Sequence, residues 1–217
     1  MMQLFSTLKG NNSRWISKKS KHETLGELHC HWKTRRTLSD ILQRRAVGKY
    51  FVFGFVRNPW DRISSLYRYL LEKRPLKEFE TVSSFSDFID QADAGVSWVR
   101  GLHSMRPQVD FLRSHEDGRI SADFVGHFEH LDEDFLSVTE LLGIAPFHLP
   151  HSNRSSNSQV DYRKQYSDRM AEVVESLFRE DIDTFGYVFD QSRPARRCSG
   201  RLDLLTHTAP KRRSLIR

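Results

Sequence analysis

At 217 residues the chain is the length of one ordinary domain and can bury a sizeable core. Its 38% apolar residues, including fifteen Phe and four Trp, exclude wholesale disorder, and no run approaches the ~18 apolar residues of a membrane span. The net charge of +6 divides into +8 over residues 1–49, −9 over 50–192 and +7 over 193–217, unlike the uniform basicity of a nucleic-acid-binding domain.

The first ten residues hold neither a hydrophobic run nor a small-residue cleavage site, so no secretory signal is expected. A polar, basic stretch follows at Asn11–Lys21. Leu25, Leu28 and Trp32 share a face in a helix expected over Thr24–Trp32, and Leu38, Ile41 and Leu42 in another over Thr37–Ala46. Tyr50–Val56 (YFVFGFV) is apolar throughout and reads as a strand buried on both faces, as in parallel sheets. Gly54 within it marks a close approach by backbone or ligand. A helix starts at once: Asn58 suits the N-cap, Pro59 the first turn, and Asp61 brings a carboxylate to the positive end of the dipole. It runs to about Lys73, with Ile63, Leu66, Tyr67 and Leu70 as its buried stripe.

Phe85–Ala92 reads as a helix capped by Ser83 or Ser84. Val109–Leu112 is helix or irregular. Gly118 turns the chain into a second strand, Ile120–Phe128, and Asp132–Leu142 forms a helix stopped by Gly143. Pro146–Asn157 is a polar loop. A long helix is expected over Asp168–Thr184, with Met170, Val173, Val174, Leu177, Phe178, Ile182 and Phe185 on one face and Gly186 ending it. There is no internal repeat. Strands alternating with helices imply an α/β fold with a parallel sheet flanked by helices, although only two strands are strong. One domain is expected over 1–192, followed by a disordered basic tail over 193–217.

The strand-to-helix turn carries the chemistry. A buried strand delivers Arg57 to its carboxyl edge, where α/β folds bind ligands, and the helix N-terminus beside it favours an anion. Arg57 can offer phosphate a bidentate fork. Arg62 and Ser65, three apart, can project from one polar face. These three are the candidate phosphate-binding residues. The plainer alternative pairs Arg57 with a carboxylate and leaves Ser65 a small helix residue.

Arg57-Asn58-Pro59-Trp60-Asp61-Arg62-x-x-Ser65-x-Tyr67 resembles the 3′-phosphate-binding motif of PAPS-dependent sulfotransferases (PAPS is 3′-phosphoadenosine 5′-phosphosulfate), of the Golgi-type and bacterial carbohydrate group. Asp123–Leu131 (DFVGHFEHL) with Asp134-Phe135, Leu149–Asn153 (LPHSN), and Asp181-Ile182-x-x-Phe185-Gly186-Tyr187-x-Phe189 resemble three further motifs of that family, in its order. The resemblance implies a P-loop-like three-layer fold, PAPS as sulfuryl donor with PAP as product, a carbohydrate hydroxyl as acceptor, and Arg57 and Ser65 on the 3′-phosphate. The family's opening strand and "HIPKTAGTS"-like loop, which wraps the 5′-phosphosulfate, has no clear counterpart. Lys9-Gly10-Asn11-Asn12-Ser13 has the residue types without a preceding strand. The expectation is therefore a domain lacking its first strand, with weak or no turnover. The rival reading is a non-catalytic module binding a nucleotide or a sulfated polymer.

His22 lies in Lys21-His22-x-Thr24-x-x-Glu27-Leu28, which resembles the family's H-x-T-x-x-E-L. It is the candidate catalytic base, against a capping or surface histidine. No metal site is expected: Cys30 and Cys198 are far apart, and His29, Cys30 and His31 diverge by about 100° per residue on a helix. His127 stands where the family carries Arg or Lys, which weakens an anion role there. His148 and His151 either approach the ligand or lie in a solvated loop. Gln108 matches a family position without an evident role, and Trp98 and Arg100 are sugar contacts or packing and surface residues. The tail is solvated or attracts a polyanion or anionic membrane. Few cysteines and no anchor fit a cytoplasmic protein; the Golgi membrane is the alternative by resemblance.

Overall fold

The computed structural model describes residues 51–73, 76–114, 117–146, 149 and 161–191. The two helices expected before Tyr50, His22, the His29–His31 cluster, Lys9–Ser13, His148, His151 and the tail 193–217 lie outside the described residues.

Strand β1 is Phe53–Val56, shorter than the expected Tyr50–Val56. The chain is already tied to its neighbour at Val52, whose carbonyl accepts from Asp123 N–H (2.6 Å) and Phe124 N–H (3.2 Å). Val52 N–H, however, donates to the Asp123 carboxylate (2.8 Å) instead of to a strand carbonyl. Helix α1 spans Pro59–Glu72 behind the Asn58 cap. Ile63, Leu66 and Leu70 are buried, and Tyr67 fills the space between the rings of Phe79, Phe85 and Phe88.

A 3-10 turn at Lys77–Thr81 leads to α2, Phe85–Asp93. Its cap is Ser84, whose hydroxyl accepts from Asp87 N–H, while Ser83 donates to the Asp87 carboxylate. Next come α3 (Ser97–Arg100), a 3-10 turn (His103–Met105) and α4 (Val109–Leu112), each one turn or so long. Strand β2 is Phe124–His127 and pairs parallel with β1, Phe53 opposite Phe124 and Val56 opposite His127. The expected Ile120–Phe128 strand is cut at both ends. Ile120 bridges antiparallel to Arg113 across the Gly118 turn, and Phe128 opens a 3-10 turn into α5, Leu131–Leu142. Gly143 ends α5 in the left-handed conformation (φ 65°).

After the 3-10 turn Tyr162–Gln165 come α6 (Asp168–Leu177) and α7 (Arg179–Phe185). The single helix expected over Asp168–Thr184 is thus two. The break falls at Phe178 (φ −122°, ψ 25°), without a Gly or Pro to mark it. It buries the Phe178 ring and turns Asp181 into the interior.

The architecture is mixed: helices around a small parallel sheet of two strands among the described residues. Alternation along β1 separates the layers. Val56, with Val125 of β2, faces the main core of α1, α2 and α6, and Phe55 packs with Phe135 of α5 and Leu149 on the other side. Among the described residues no helix is long and apolar enough to cross a membrane.

The close approach anticipated at Gly54 is to protein: a Cβ there would lie 2.7 Å from Leu112 Cδ2. Gly126 is tighter, because its Cβ would fall 2.6 and 2.8 Å from Phe55 ring carbons and 3.0 Å from Asp134 Cβ. Gly126→Ala should therefore destabilise the fold by about 1–3 kcal/mol through overpacking. Urea unfolding reads this directly; an unmoved midpoint would contradict it.

Candidate functional site

The turn between β1 and α1 is assembled from distant parts of the chain. Arg57 follows β1, and its backbone is gripped by the Gln108 side chain: Oε1 accepts from Arg57 N–H (2.9 Å) and Nε2 donates to its carbonyl (2.8 Å). The Arg57 guanidinium donates through Nε to Asp61 Oδ2 (2.7 Å), with Nη2 equally close, and lies 4.7 Å from the centre of the Phe128 ring. Its side chain is 23% exposed, and Nη1 makes no bond among the described residues. One edge of the fork is thus held, and the other is left without a partner among the described residues.

Asn58 closes the helix end. Its side chain accepts from Trp60 N–H (3.0 Å) and Asp61 N–H (3.3 Å), and its Nδ2 donates to Tyr162 Oη (3.2 Å). Tyr162 in turn donates to the Phe189 carbonyl (2.7 Å). Asn58 N–H donates to Glu129 Oε1 (2.6 Å), and Tyr187 donates to Glu129 Oε2. Burial pushes the Glu129 carboxyl up from its ordinary pKa; the Asn58 N–H and the Arg57 charge pull it back.

Arg62 is held by the protein itself. Its Nη2 donates to the carbonyls of Ser104 (2.6 Å) and Arg106 (2.5 Å), its Nη1 lies 3.5 Å from Asp181, and its Cζ lies 5.0 Å from the Phe178 ring centre. Burial pushes its pKa down to about 10, with Asp181 opposing and Arg57 adding to the fall, so it stays charged at neutral pH. Asp181 is wholly buried and accepts from the N–H groups of Gln108 (2.7 Å) and Val109 (2.9 Å). Burial raises its pKa against those bonds. Ser65 is half-buried and makes no hydrogen bond among the described residues. The structure therefore sets Arg57 at the mouth of the turn and Arg62 beneath it.

His127 is a core residue. It is fully buried, its backbone N–H donates to Asp134 (2.7 Å), its ring meets Tyr187 edge-on, and Nε2 lies 3.4 Å from the Phe185 carbonyl. Nδ1 is buried without a partner among the described residues. Burial lowers the pKa below the ordinary 6.5, which keeps the ring neutral. With the folded pKa below the unfolded one, the unfolded chain binds the extra proton, so stability is full above about pH 6.5 and falls as pH drops below it. His127→Gln should flatten that limb of a stability–pH profile; an unchanged slope would count against it.

Trp98 and Arg100 take their plainer roles: Trp98 packs on Phe79 and Phe88, and Arg100 donates to the Ala92 carbonyl. Sequence reasoning gave no role to Gln108, Asp181 or Glu129. Asp181 had a usable signal, since it falls on the apolar face between Phe178 and Phe185, where a carboxylate must find buried donors. No group of three or more His, Cys, Asp and Glu able to hold a metal occurs among the described residues.

A family profile described as "Sulfotransferase family" matches residues 1–188. A protein of Archaeoglobus fulgidus described as uncharacterized is 34% identical over 106 residues, which cover 46% of this chain and 78% of that protein. No solved structure matches the chain significantly.

Proposed function

The chain belongs to the sulfotransferase family, and on that premise we propose that the β1–α1 turn binds the 3′-phosphate of PAPS and that the protein passes its sulfuryl group to a carbohydrate hydroxyl. The observation that carries this reading is the placement of Arg57. Its guanidinium stands at the carboxyl end of a parallel strand and beside a 14-residue helix N-terminus, with Nη1 unpartnered among the described residues and 23% of the side chain exposed.

PAPS supplies an activated sulfuryl group and a good leaving group. Arg57 takes one phosphate edge with a charge-assisted fork and Ser65 adds a hydroxyl donor. Arg62 holds the floor of the turn through Asp181 and the Ser104 and Arg106 carbonyls, not the phosphate. His22 receives the proton of the acceptor hydroxyl, on the strength of its motif. A three-layer, P-loop-like plan over residues 1–192 belongs to the same proposal, supported by helices on both sides of the parallel pair.

Isothermal titration with PAP and sulfuryl transfer from PAPS to a glycan panel test this reading. One-to-one PAP binding is the expected result, and no binding refutes the site. Turnover on any glycan supports the transfer, no turnover refutes it, and robust turnover would also overturn the weak catalysis expected from the unmatched phosphosulfate loop.

A further inference from the structure

Gln108 bonds to both polar groups of the Arg57 backbone, at 2.9 and 2.8 Å, and to nothing of its side chain. The geometry of the strand gives this grip its meaning. The Val52 carbonyl faces β2, where Asp123 and Phe124 donate to it. Successive residues of an extended chain present their polar groups to alternate edges, so Arg57, five residues on, presents its N–H and carbonyl to the edge away from β2. A side-chain amide carries the same donor and acceptor as a peptide group. Gln108 therefore fills the place of one peptide of a neighbouring strand, at the single residue where β1 ends and the fork begins.

Gln108 is itself over-determined. It is only 9% exposed, its N–H and that of Val109 donate to the two oxygens of Asp181, and its Nε2 lies 3.4 Å from Asp181 Oδ2. Asp181 is held from the other side by Arg62. The chain of contacts runs from α7 through Asp181 and Gln108 to the Arg57 backbone. The fork is steadied separately by Asp61 and Phe128, which set its tilt but not the position of its Cα.

We propose that Gln108 is a positioning residue for Arg57: by pairing with its backbone as a surrogate strand, it fixes the origin and direction of the fork that meets the 3′-phosphate. This rests on the reading of the turn as the 3′-phosphate site. The consequence is selective: loss of the grip weakens recognition of the 3′-phosphate and leaves contacts to the rest of the nucleotide alone.

The test compares PAP with adenosine 5′-monophosphate, which lacks the 3′-phosphate, by titration calorimetry on the full chain. Gln108→Met keeps the volume and removes both bonds. It should weaken PAP about tenfold, leave adenosine 5′-monophosphate unchanged, and have no further effect on PAP in an Arg57→Ala background. Equal weakening of both nucleotides, unchanged PAP affinity, or the same loss in the Arg57→Ala background would each overturn the proposal. If Arg57→Ala itself leaves the PAP preference intact, the site reading fails and the proposal falls with it, a result distinct from failure of Gln108 alone. Should Gln108→Met not fold, hydrogen exchange of the unliganded native chain still decides: the Arg57 amide should exchange as slowly as the β1–β2 ladder amides, and fast exchange would overturn the grip.

Discussion

Asp181→Ala should lower the free energy of unfolding by about 3–5 kcal/mol, the range for breaking one side of a buried ion pair. The carboxylate meets three partners that water cannot replace: the N–H groups of Gln108 and Val109 and the guanidinium of Arg62. Its removal leaves two buried N–H groups without acceptors and a buried cation without its counter-charge. Burial already drives Arg62 and Asp181 toward their neutral forms, so the pair adds little net stability over an apolar pair of the same shape. The damage comes from orphaning what remains. Urea unfolding of the two chains measures it, and a loss below about 1 kcal/mol would show that the site collapses or hydrates freely.

Arg57→Ala should cut PAP affinity by about a hundredfold or more, the loss of two charge-assisted hydrogen bonds to phosphate. Unlike Asp181, Arg57 has little to do with holding the fold. Its ion pair with Asp61 is a partly exposed i,i+4 contact of the kind that contributes little stability. Affinity and stability should therefore separate: a large change in titration calorimetry and an almost unmoved melting curve. Arg57→Lys should recover only part of the loss, because an ammonium keeps the charge and gives up the planar fork. PAP affinity within a few-fold of the native chain in Arg57→Ala would remove the phosphate-site reading.

The local features of the turn were legible in the sequence. Asn58, Pro59 and Asp61 read as a helix start, and the cap forms as those residue types dictate. The stripe Ile63, Leu66 and Leu70 was set by helical period alone. Gly143 and Gly186 stop their helices with positive φ, as a residue without Cβ allows. What was not legible depends on partners far along the chain. An unbroken apolar period over 168–184 gives no hint of the turn at Phe178, which tertiary packing imposes by drawing the Phe178 ring beneath Arg62. Arg62 and Ser65 look equivalent on a helical wheel. Only the Ser104 and Arg106 carbonyls and Asp181 reveal that Arg62 faces inward.

The ties at Asn58 also bear on how the molecule is made. Its amide pairs with a carboxylate 71 residues later, its side chain with a phenol 104 residues later, and that phenol with a carbonyl another 27 residues on. Arg57 adds a partner 51 residues away. Contacts so distant in sequence carry a large loop-closure cost and form slowly, after local helices have had time to appear. During vectorial synthesis, β1 and α1 emerge long before Phe189, and the clamps reach the turn one at a time, Gln108 first, Glu129 next and the Tyr162–Phe189 link last. The turn is thus completed late, and a nascent chain released before Gln108 would hold every residue of the phosphate motif without the grip on the Arg57 backbone.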